Sequence, residues 1–322
     1  MARVITIHEY GGPSVLRVES SDVGAPGRGQ VRLRQDAAGV NAVDGIMRDG
    51  LFGTPLPAVL GVEGAGVVEA VGPGVRRFAP GDRAGYFFSM GGYATERLIG
   101  EESLIALPDD IGSDQAAAFL AKGLTAWMGI GILHPIEPDQ VILVQGASGG
   151  VGSVLSRWAK EMGAIVIGVA GSRTKLPQMQ AGVHRALHAT DPGFLNAVRE
   201  VSPGGVDVVF DLVGQATAEL STQAVRDGGK IVTIGAASGQ PRQYASLPSS
   251  RGIRVVGGST PQHIDPADDK TTSRLFTAIR NGLFNDLKIS RYAFDDARRA
   301  HEDLQQRKLT GLPILQHTNQ PT

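Results

Sequence analysis

The stretch Asp139 to Gly163, DQVILVQGASGGVGSVLSRWAKEMG, constrains this chain more than any other. Val141-Ile142-Leu143-Val144 is a short, continuous apolar run rich in β-branched residues, the pattern of a strand buried on both faces of a parallel sheet. From Val151 onward the apolar residues Val154, Leu155, Trp158 and Met162 recur at helical spacing. Between strand and helix lies Gly146-Ala147-Ser148-Gly149-Gly150-Val151-Gly152. Glycine lets a backbone turn sharply and approach a pyrophosphate, and a helix opening near Gly150 offers unpaired N–H groups and a positive dipole end to an anion. The run departs from G-x-G-x-x-G only at Ala147, with Gly149 and Gly152 in the other two glycine positions. Its setting between a strand and a helix favours a dinucleotide site over an ordinary turn, with Ser148, Gly149, Gly150, Val151 and Gly152 around the phosphates.

The rest of the chain falls into two patterns around this unit. Residues 1 to about 110 hold short alternating runs broken by glycine and proline: Val4 to Ile7, Val15 to Val18, Val31 to Ala37, Gly64 to Val71, Arg83 to Phe88 and Tyr93 to Ile99. That spacing predicts an antiparallel, partly closed barrel. A helix capped by Ser113 and a second from about Leu124 to Leu133 lead into the glycine turn. Beyond it strands and helices alternate: strand Ile165 to Val169, helix Thr174 to Ala181, strand Arg185 to His188, helix Pro192 to Val201, strand Val206 to Phe210, helix Thr217 to Arg226, and strands Lys230 to Ile234 and Ile253 to Val256. This predicts an α/β doubly wound parallel sheet, in which ligands sit beyond the carboxyl ends of the strands. A helix near Lys270 to Asn281, a strand near Leu287 to Tyr292, a helix over Asp295 to Arg307 and a short run Pro313 to Leu315 complete the chain, and the polar residues from Gln316 are expected to fray.

Composition removes several classes. Thirty-one Lys and Arg against 32 Asp and Glu leave a formal charge of −1, without the basic block that tracks nucleic acid. The longest apolar stretch, near Ala164 to Ala170, is too short to cross a bilayer, and the chain opens on strand-like Val4 to Ile7, so a cytoplasmic protein is expected. The absence of cysteine excludes disulfides, thiolate nucleophiles and cysteine-bound zinc. His184 and His188, spaced i, i+4 around a short strand, fall short of a metal ligand set.

The end of the second strand of the parallel sheet bears on the choice of nicotinamide. Sheets that prefer NAD carry an acidic residue there for the ribose 2′-hydroxyl. This chain reads Ala170-Gly171-Ser172-Arg173-Thr174-Lys175, with no carboxylate. Hydroxyls, a guanidinium and an ammonium suit a 2′-phosphate, so NADPH is expected, with Ser172, Arg173 and Lys175 as its contacts. Gly235 to Gly239 (GAASG) follows the fifth strand and is expected to pass the nicotinamide ribose and amide through Gly235 and Ser238 unless it is an ordinary turn.

With these residues in view, the chain resembles the medium-chain dehydrogenase/reductase superfamily, in particular its zinc-independent, zeta-crystallin-like quinone oxidoreductase branch. The resemblance rests on Gly11-Gly12-Pro13, Val40-Asn41 with Asp44, Gly61 to Gly66 (GVEGAG), Gly72 to Val75, Pro80-Gly81-Asp82, Lys122 to Thr125 and Ala147 to Gly152. It implies a GroES-like catalytic domain over residues 1–120, completed by 260–322, and a Rossmann NADPH-binding domain over 121–259. It also implies a homodimer joined edge to edge through the last Rossmann strand, here Ile253 to Gly258. Where the zinc-dependent alcohol dehydrogenases of the superfamily carry a cysteine ligand, a Gly-His-Glu and a third ligand, this chain has Asn41, Gly61-Val62-Glu63 and Ala121 or Lys122.

Without a Lewis acid the reaction must need little carbonyl polarisation. Quinones and conjugated enones meet that condition, because a hydride can arrive at an electron-poor carbon while charge delocalises to an oxygen. By resemblance the active-site positions are Asn41, Asp44, Lys122 and Thr125. Asn41 and Thr125 are expected beside the nicotinamide as donors to the developing oxyanion. Asp44 and Lys122 are expected as an ion pair that fixes geometry, with proton relay through Lys122 as the alternative. Phe52, Tyr86 and Phe87 are candidates to stack on a flat substrate or to serve as packing. Two other readings remain open: a double-bond reductase with a non-quinone enone or alkenal substrate, and a catalytically silent, crystallin-like NADPH-binding protein.

Overall fold

The chain enters its fold as β1 (Ala2–Ile7), which pairs antiparallel with β2 (Arg17–Ser21). The computed structural model describes residues 1–247 and 249–317. The strand expected at Val15 to Val18 starts later, because Pro13–Val15 form a 3₁₀ turn in which proline's fixed φ sits at the first positions. Next come β3 (Gln30–Gly39), α1 (Ala42–Arg48), β4 (Ala58–Val59), β5 (Glu63–Val71), β6 (Arg83–Phe87), β7 (Glu96–Gly100) and β8 (Ile105–Ala106). β3 alternates half-buried and buried residues from Gln30 to Ala37, the signature of one face turned to a core, and ends with Ala37, Ala38 and Gly39 all buried. Its pairing with β5 shifts register twice, and Gly66 sits where a Cβ would come 1.9 Å from the Arg34 carbonyl oxygen, so only glycine allows the strands this approach.

The two helices expected between Ser113 and Leu133 are one. α2 (Ser113–Trp127) runs through Lys122-Gly123 without a break and widens into a π-helical segment, Met128–Leu133. A lysine and a glycine read as an interruption, yet both are buried here, where packing overrides propensity. Ser113–Leu133 is therefore long and apolar enough by composition to cross a membrane, which corrects the expectation that no segment is; 78% of its most apolar window is buried within the protein, as in a core helix.

The parallel sheet follows as β9 (Val141–Gln145), α3 (Gly150–Glu161), β10 (Ile165–Ala170), α4 (Leu176–Met179), β11 (Arg185–His188), α5 (Phe194–Val201), β12 (Val206–Asp211), α6 (Ala218–Ala224), β13 (Val225–Thr233), β14 (Arg254–Gly257) and α7 (Thr260–His263). Strand order is β11-β10-β9-β12-β13-β14, with the glycine turn leaving the central β9. The helix expected over Thr174 to Ala181 is broken into 3₁₀, α and 3₁₀ turns around Pro177. Val225 and Arg226, expected in a helix, open β13 instead, with Val225 paired to Val206 ahead of a register shift. Both faces are covered, and Leu143, Ile167, Val209 and Ile231 are buried in one cluster.

The last elements are α8 (Asp269–Arg280), β15 (Ile289–Ala293), α9 (Ala297–Gln305) and β16 (Leu312–Gln316). β16 pairs with β3, extending the barrel-side sheet to β15-β16-β3-β5-β6-β8. Gln316 and His317, expected to fray, are held by pairing to Ala37 and a backbone bond to Asp36; the remainder of that expected tail lies outside the described residues. The fold is thus a parallel six-stranded Rossmann sheet plus a mainly antiparallel GroES-like part. The compact units are Met1–Ala121 with Asp265–Phe276 and Lys288–Thr322, and Lys122–Ile264 with Thr277–Leu287. Thr277–Leu287 thus falls with the parallel sheet rather than with the first unit.

Candidate active site

In the second unit the glycine turn is built as its sequence dictates. Gly146 leaves β9 at φ +79°, a conformation natural to glycine. Gly149 is the extended N-cap of α3, and no side chain caps the helix, which leaves its first N–H groups without a capping acceptor. A Cβ on Gly152 would stand 2.2 Å from the Gly146 carbonyl oxygen; glycine here lets helix and turn pack directly. Ser148 is half-buried and Gly149 exposed, so the turn presents backbone rather than bulk. Lys122 is buried, with its side-chain Cδ 3.2 Å from where a Cβ of Gly150 would stand.

The end of β10 holds what the sequence reading missed. Ala170 pairs in register with His188 of β11, which brings the residues after both strands side by side. Arg173 donates from Nη2 to Asp191 Oδ1 at 2.6 Å, and Asp191 Oδ2 accepts from the His188 backbone N–H at 3.2 Å. The Arg173 bond, with help from the His188 N–H, holds the Asp191 carboxyl below the usual carboxylate range. Ser172 Oγ and Thr174 Oγ1 share a hydrogen bond of 2.8 Å. A carboxylate therefore stands beside the residues expected to contact a 2′-phosphate, supplied by the turn after the neighbouring strand β11 rather than by the end of β10.

Gly235 and Ser238 lie on the loop after β13, packed against the turn Asp211–Gln215. Gly235 donates to the Asp211 carbonyl at 3.3 Å. Ser238 Oγ donates to the Val213 carbonyl and accepts from the Ala216 N–H, 2.8 and 2.9 Å, so its one proton is used within the protein. The buried Asp211 carboxylate anchors this region, accepting from the N–H groups of Val213 and Gly214 and from Thr217 Oγ1, each at 2.9 Å, and from Tyr244. Thr125 Oγ1 lies 2.7 Å from Thr260 Oγ1 at the start of α7. Two hydroxyls bring two protons and this bond uses one, leaving the pair a donor for another group. Thr260 had a local signal, the Ser259-x-x-Gln262 capping box that opens α7.

In the first unit Asn41 caps α1, and its backbone N–H donates to Asp44 Oδ2 at 2.8 Å, the acidic half of a capping box. Asn41 Nδ2 donates to Glu63 Oε2 at 2.9 Å, while Glu63 Oε1 accepts from the Ala121 N–H at 2.7 Å. Glu63 is fully buried and so fixes the Asn41 amide, which keeps a second N–H. Behind Asp44 runs a buried chain with a defined direction. Arg48 has only donors, so its Nη1 gives a proton to His301 Nδ1 at 2.9 Å. His301 Nε2 then carries the hydrogen toward the Tyr93 oxygen at 2.9 Å, and the Tyr93 hydroxyl donates to Asp44 Oδ2 at 2.9 Å. Burial, reinforced by Arg48, brings the His301 pKa down to about 3, and burial beside Asp44 raises the Tyr93 phenol well above its usual value.

The aromatic candidates separate. Phe52 is exposed at the tip after α1. Tyr86 is fully buried, its hydroxyl donates to Gln35, and it belongs to the barrel cluster with Leu33 and Val68. A phenol can satisfy its hydroxyl inside a core, which frees tyrosine from the surface. Phe87 is buried beside it, stacked edge-on to Phe88. Of the two histidines weighed as ligands, His184 Nδ1 accepts from the Val166 N–H. Among the described residues no three His, Asp or Glu side chains gather around a metal-sized space.

Comparison with known proteins agrees with this construction. Residues 150–268 match the zinc-binding dehydrogenase family and residues 27–118 the alcohol dehydrogenase GroES-like domain. The chain is 34% identical to a quinone oxidoreductase of Salmonella typhimurium and 33% identical to a 2-haloacrylate reductase of a Burkholderia species, in each case over 98% of this chain and 99% of the relative. The crystal structure of Escherichia coli quinone oxidoreductase complexed with NADPH superposes with a TM-score of 0.93 at 31% identity, covering 98% of this chain and 100% of that one. The chain belongs to the quinone oxidoreductase branch of the medium-chain dehydrogenase/reductase superfamily.

Proposed function

We propose that the protein is an NADPH-dependent, zinc-free oxidoreductase that transfers hydride to quinones or α,β-unsaturated carbonyl compounds. The observation that carries this reading is the uncapped start of α3 on Gly149 and Gly150, closed from behind by a Gly152 that tolerates no Cβ. That turn fits a dinucleotide: the uncapped N–H groups of the first helical turn suit a pyrophosphate, and Ser172, Arg173 and Lys175 suit a 2′-phosphate. When bound, NADPH supplies the hydride.

The remaining work falls to the chain. Asn41, its amide set by Glu63, offers an N–H to an oxygen that gains negative charge. The Thr125–Thr260 hydroxyl pair offers its unused proton in the same role. Asp44 and Lys122 fix geometry. Replacing Lys122 by Met should then lower stability more than turnover, and a large turnover loss in a fully folded variant would refute that role. With no cysteine in the chain, Asn41 and Val62 standing at former ligand positions fit a reaction that needs no metal.

The 2-haloacrylate reductase relative favours a second reading, in which the acceptor is an activated carbon–carbon double bond. Following NADPH oxidation with benzoquinone, phenanthrenequinone and simple enones, with NADH as the paired control, separates the two. Quinone turnover keeps quinones within the proposed substrate class, and turnover of enones alone narrows it to the activated double bond; cofactor binding without any turnover would take the protein out of the enzyme class.

A further inference from the structure

The ion pair at the ends of β10 and β11 has a consequence for cofactor choice. Arg173 is the most exposed cation of the expected 2′-phosphate contacts, with 64% of its side chain accessible, yet its Nη2 is held by Asp191. Asp191 is fixed from the other side by the His188 N–H. Thr190 Oγ1 sits 3.0 Å from His188 Nδ1 in the same turn, so the carboxylate is part of a structured loop. Asp191 holds Arg173 through the Nη2 N–H, and a phosphate dianion bound bidentately needs a pair of guanidinium N–H groups at once, so the two compete for any pair that includes Nη2. A carboxylate also accepts a hydrogen bond from a ribose 2′-hydroxyl but repels a 2′-phosphate.

We propose that Asp191 is a specificity-determining residue: it latches Arg173 away from a 2′-phosphate and thereby narrows the preference for NADPH over NADH. This rests on the NADPH reading above. The latch is weak by design of its setting, because solvent-exposed ion pairs contribute little, and a bound phosphate carrying about −1.5 to −2 charges can displace the carboxylate. Once displaced, Asp191 remains tied to His188 close by and opposes the phosphate. Discrimination is then lower than Ser172, Arg173 and Lys175 alone would give.

The test is equilibrium binding to the full chain, by calorimetry, of NADPH, NADH, 2′,5′-ADP and 5′-AMP. Asp191→Asn keeps an acceptor for the His188 N–H and removes the charge. It should bind NADPH and 2′,5′-ADP about two- to fivefold more tightly, the scale of an exposed ion pair, while NADH and 5′-AMP bind equally or more weakly. In an Arg173→Ala background the same change should give less than half that gain, and Asp191→Ser should reproduce the Asp191→Asn result. Unchanged or weaker NADPH binding by Asp191→Asn, or an equal gain without Arg173, overturns the latch. If the unaltered protein binds 2′,5′-ADP no better than 5′-AMP and Arg173→Ala changes neither, the NADPH reading itself fails, a result distinguishable from failure of the latch alone.

Discussion

Single residues carry the most direct consequences. At Gly152 a methyl group would meet the Gly146 carbonyl oxygen at 2.2 Å, backbone that cannot swing aside like a flexible side chain. Gly152→Ala should therefore displace α3 from the turn, cost about 1–3 kcal/mol in chemical denaturation as overpacking does, and weaken NADPH binding in calorimetry. Binding as tight as in the unaltered protein would contradict the close-packing role. His301 gives a pH signature with a fixed sign. Its folded pKa of about 3 lies below the ordinary 6.5, so the unfolded chain binds the proton more readily. Its contribution to stability is complete above pH 6.5 and is lost as pH falls from there toward 3, with a slope of up to about 1.4 kcal/mol per pH unit. His301→Gln should remove one proton's worth of that slope from urea unfolding measured across this window, and an identical pH dependence in both proteins would exclude the assigned neutral, Nε2-protonated ring. Tyr93, whose phenol is raised well above its ordinary value beside this histidine, keeps its proton throughout the window.

Elements show why part of the site was legible and part was not. β9, the glycine turn and α3 are contiguous, so one window of sequence carries the strand pattern, the turn and the helix together. Asp191 meets Arg173 only because β10 and β11 are parallel neighbours, joined by a crossover that separates the two residues by 18 positions. Tyr93 and His301 are farther apart still, 208 positions, and meet because α9 returns to pack on the first unit; no periodicity in either segment encodes that. The continuous α2 was misread for the opposite reason: Lys122-Gly123 carries a local break signal that burial overrules. The loop after β13 illustrates an element anchored from its far end as well as at Ser238. Tyr244, in the 3₁₀ turn Arg242–Ser246, donates to the buried Asp211 carboxylate that organises the Asp211–Thr217 turn. Tyr244→Phe leaves that carboxylate short of a donor and should cost about 1–3 kcal/mol. It should also speed limited proteolysis between Gly235 and Leu247; a cleavage rate equal to that of the unaltered protein would show that the hydroxyl is not an anchor.

At the scale of the whole molecule, the parallel sheet ends in a strand that has one partner. Among the described residues β14 pairs only with β13, through Lys230 with Arg254 to Thr233 with Gly257, and no strand among them lies on its other side. An interior strand of such a sheet is buried on both faces, yet Arg254, Val255 and Gly257 are exposed, with Val255 at 39%. Natural edges are usually blunted by charge, proline or a covering element; after Arg254 this one offers only Val255, Val256 and two glycines. Pairing with the same strand of a second copy across a two-fold axis would give that side a partner and bury Val255 against its equivalent. The protein is accordingly expected to sediment at about twice its 33.7 kDa chain mass at micromolar concentration. Val255→Arg, which sets like charges against each other across the two-fold, should shift it to the monomer while NADPH still binds, since the glycine turn leaves the central strand β9 and not the edge. A monomeric unaltered protein, or a variant that stays dimeric, would exclude β14 as the self-association surface, and its exposed Val255 would then need another explanation.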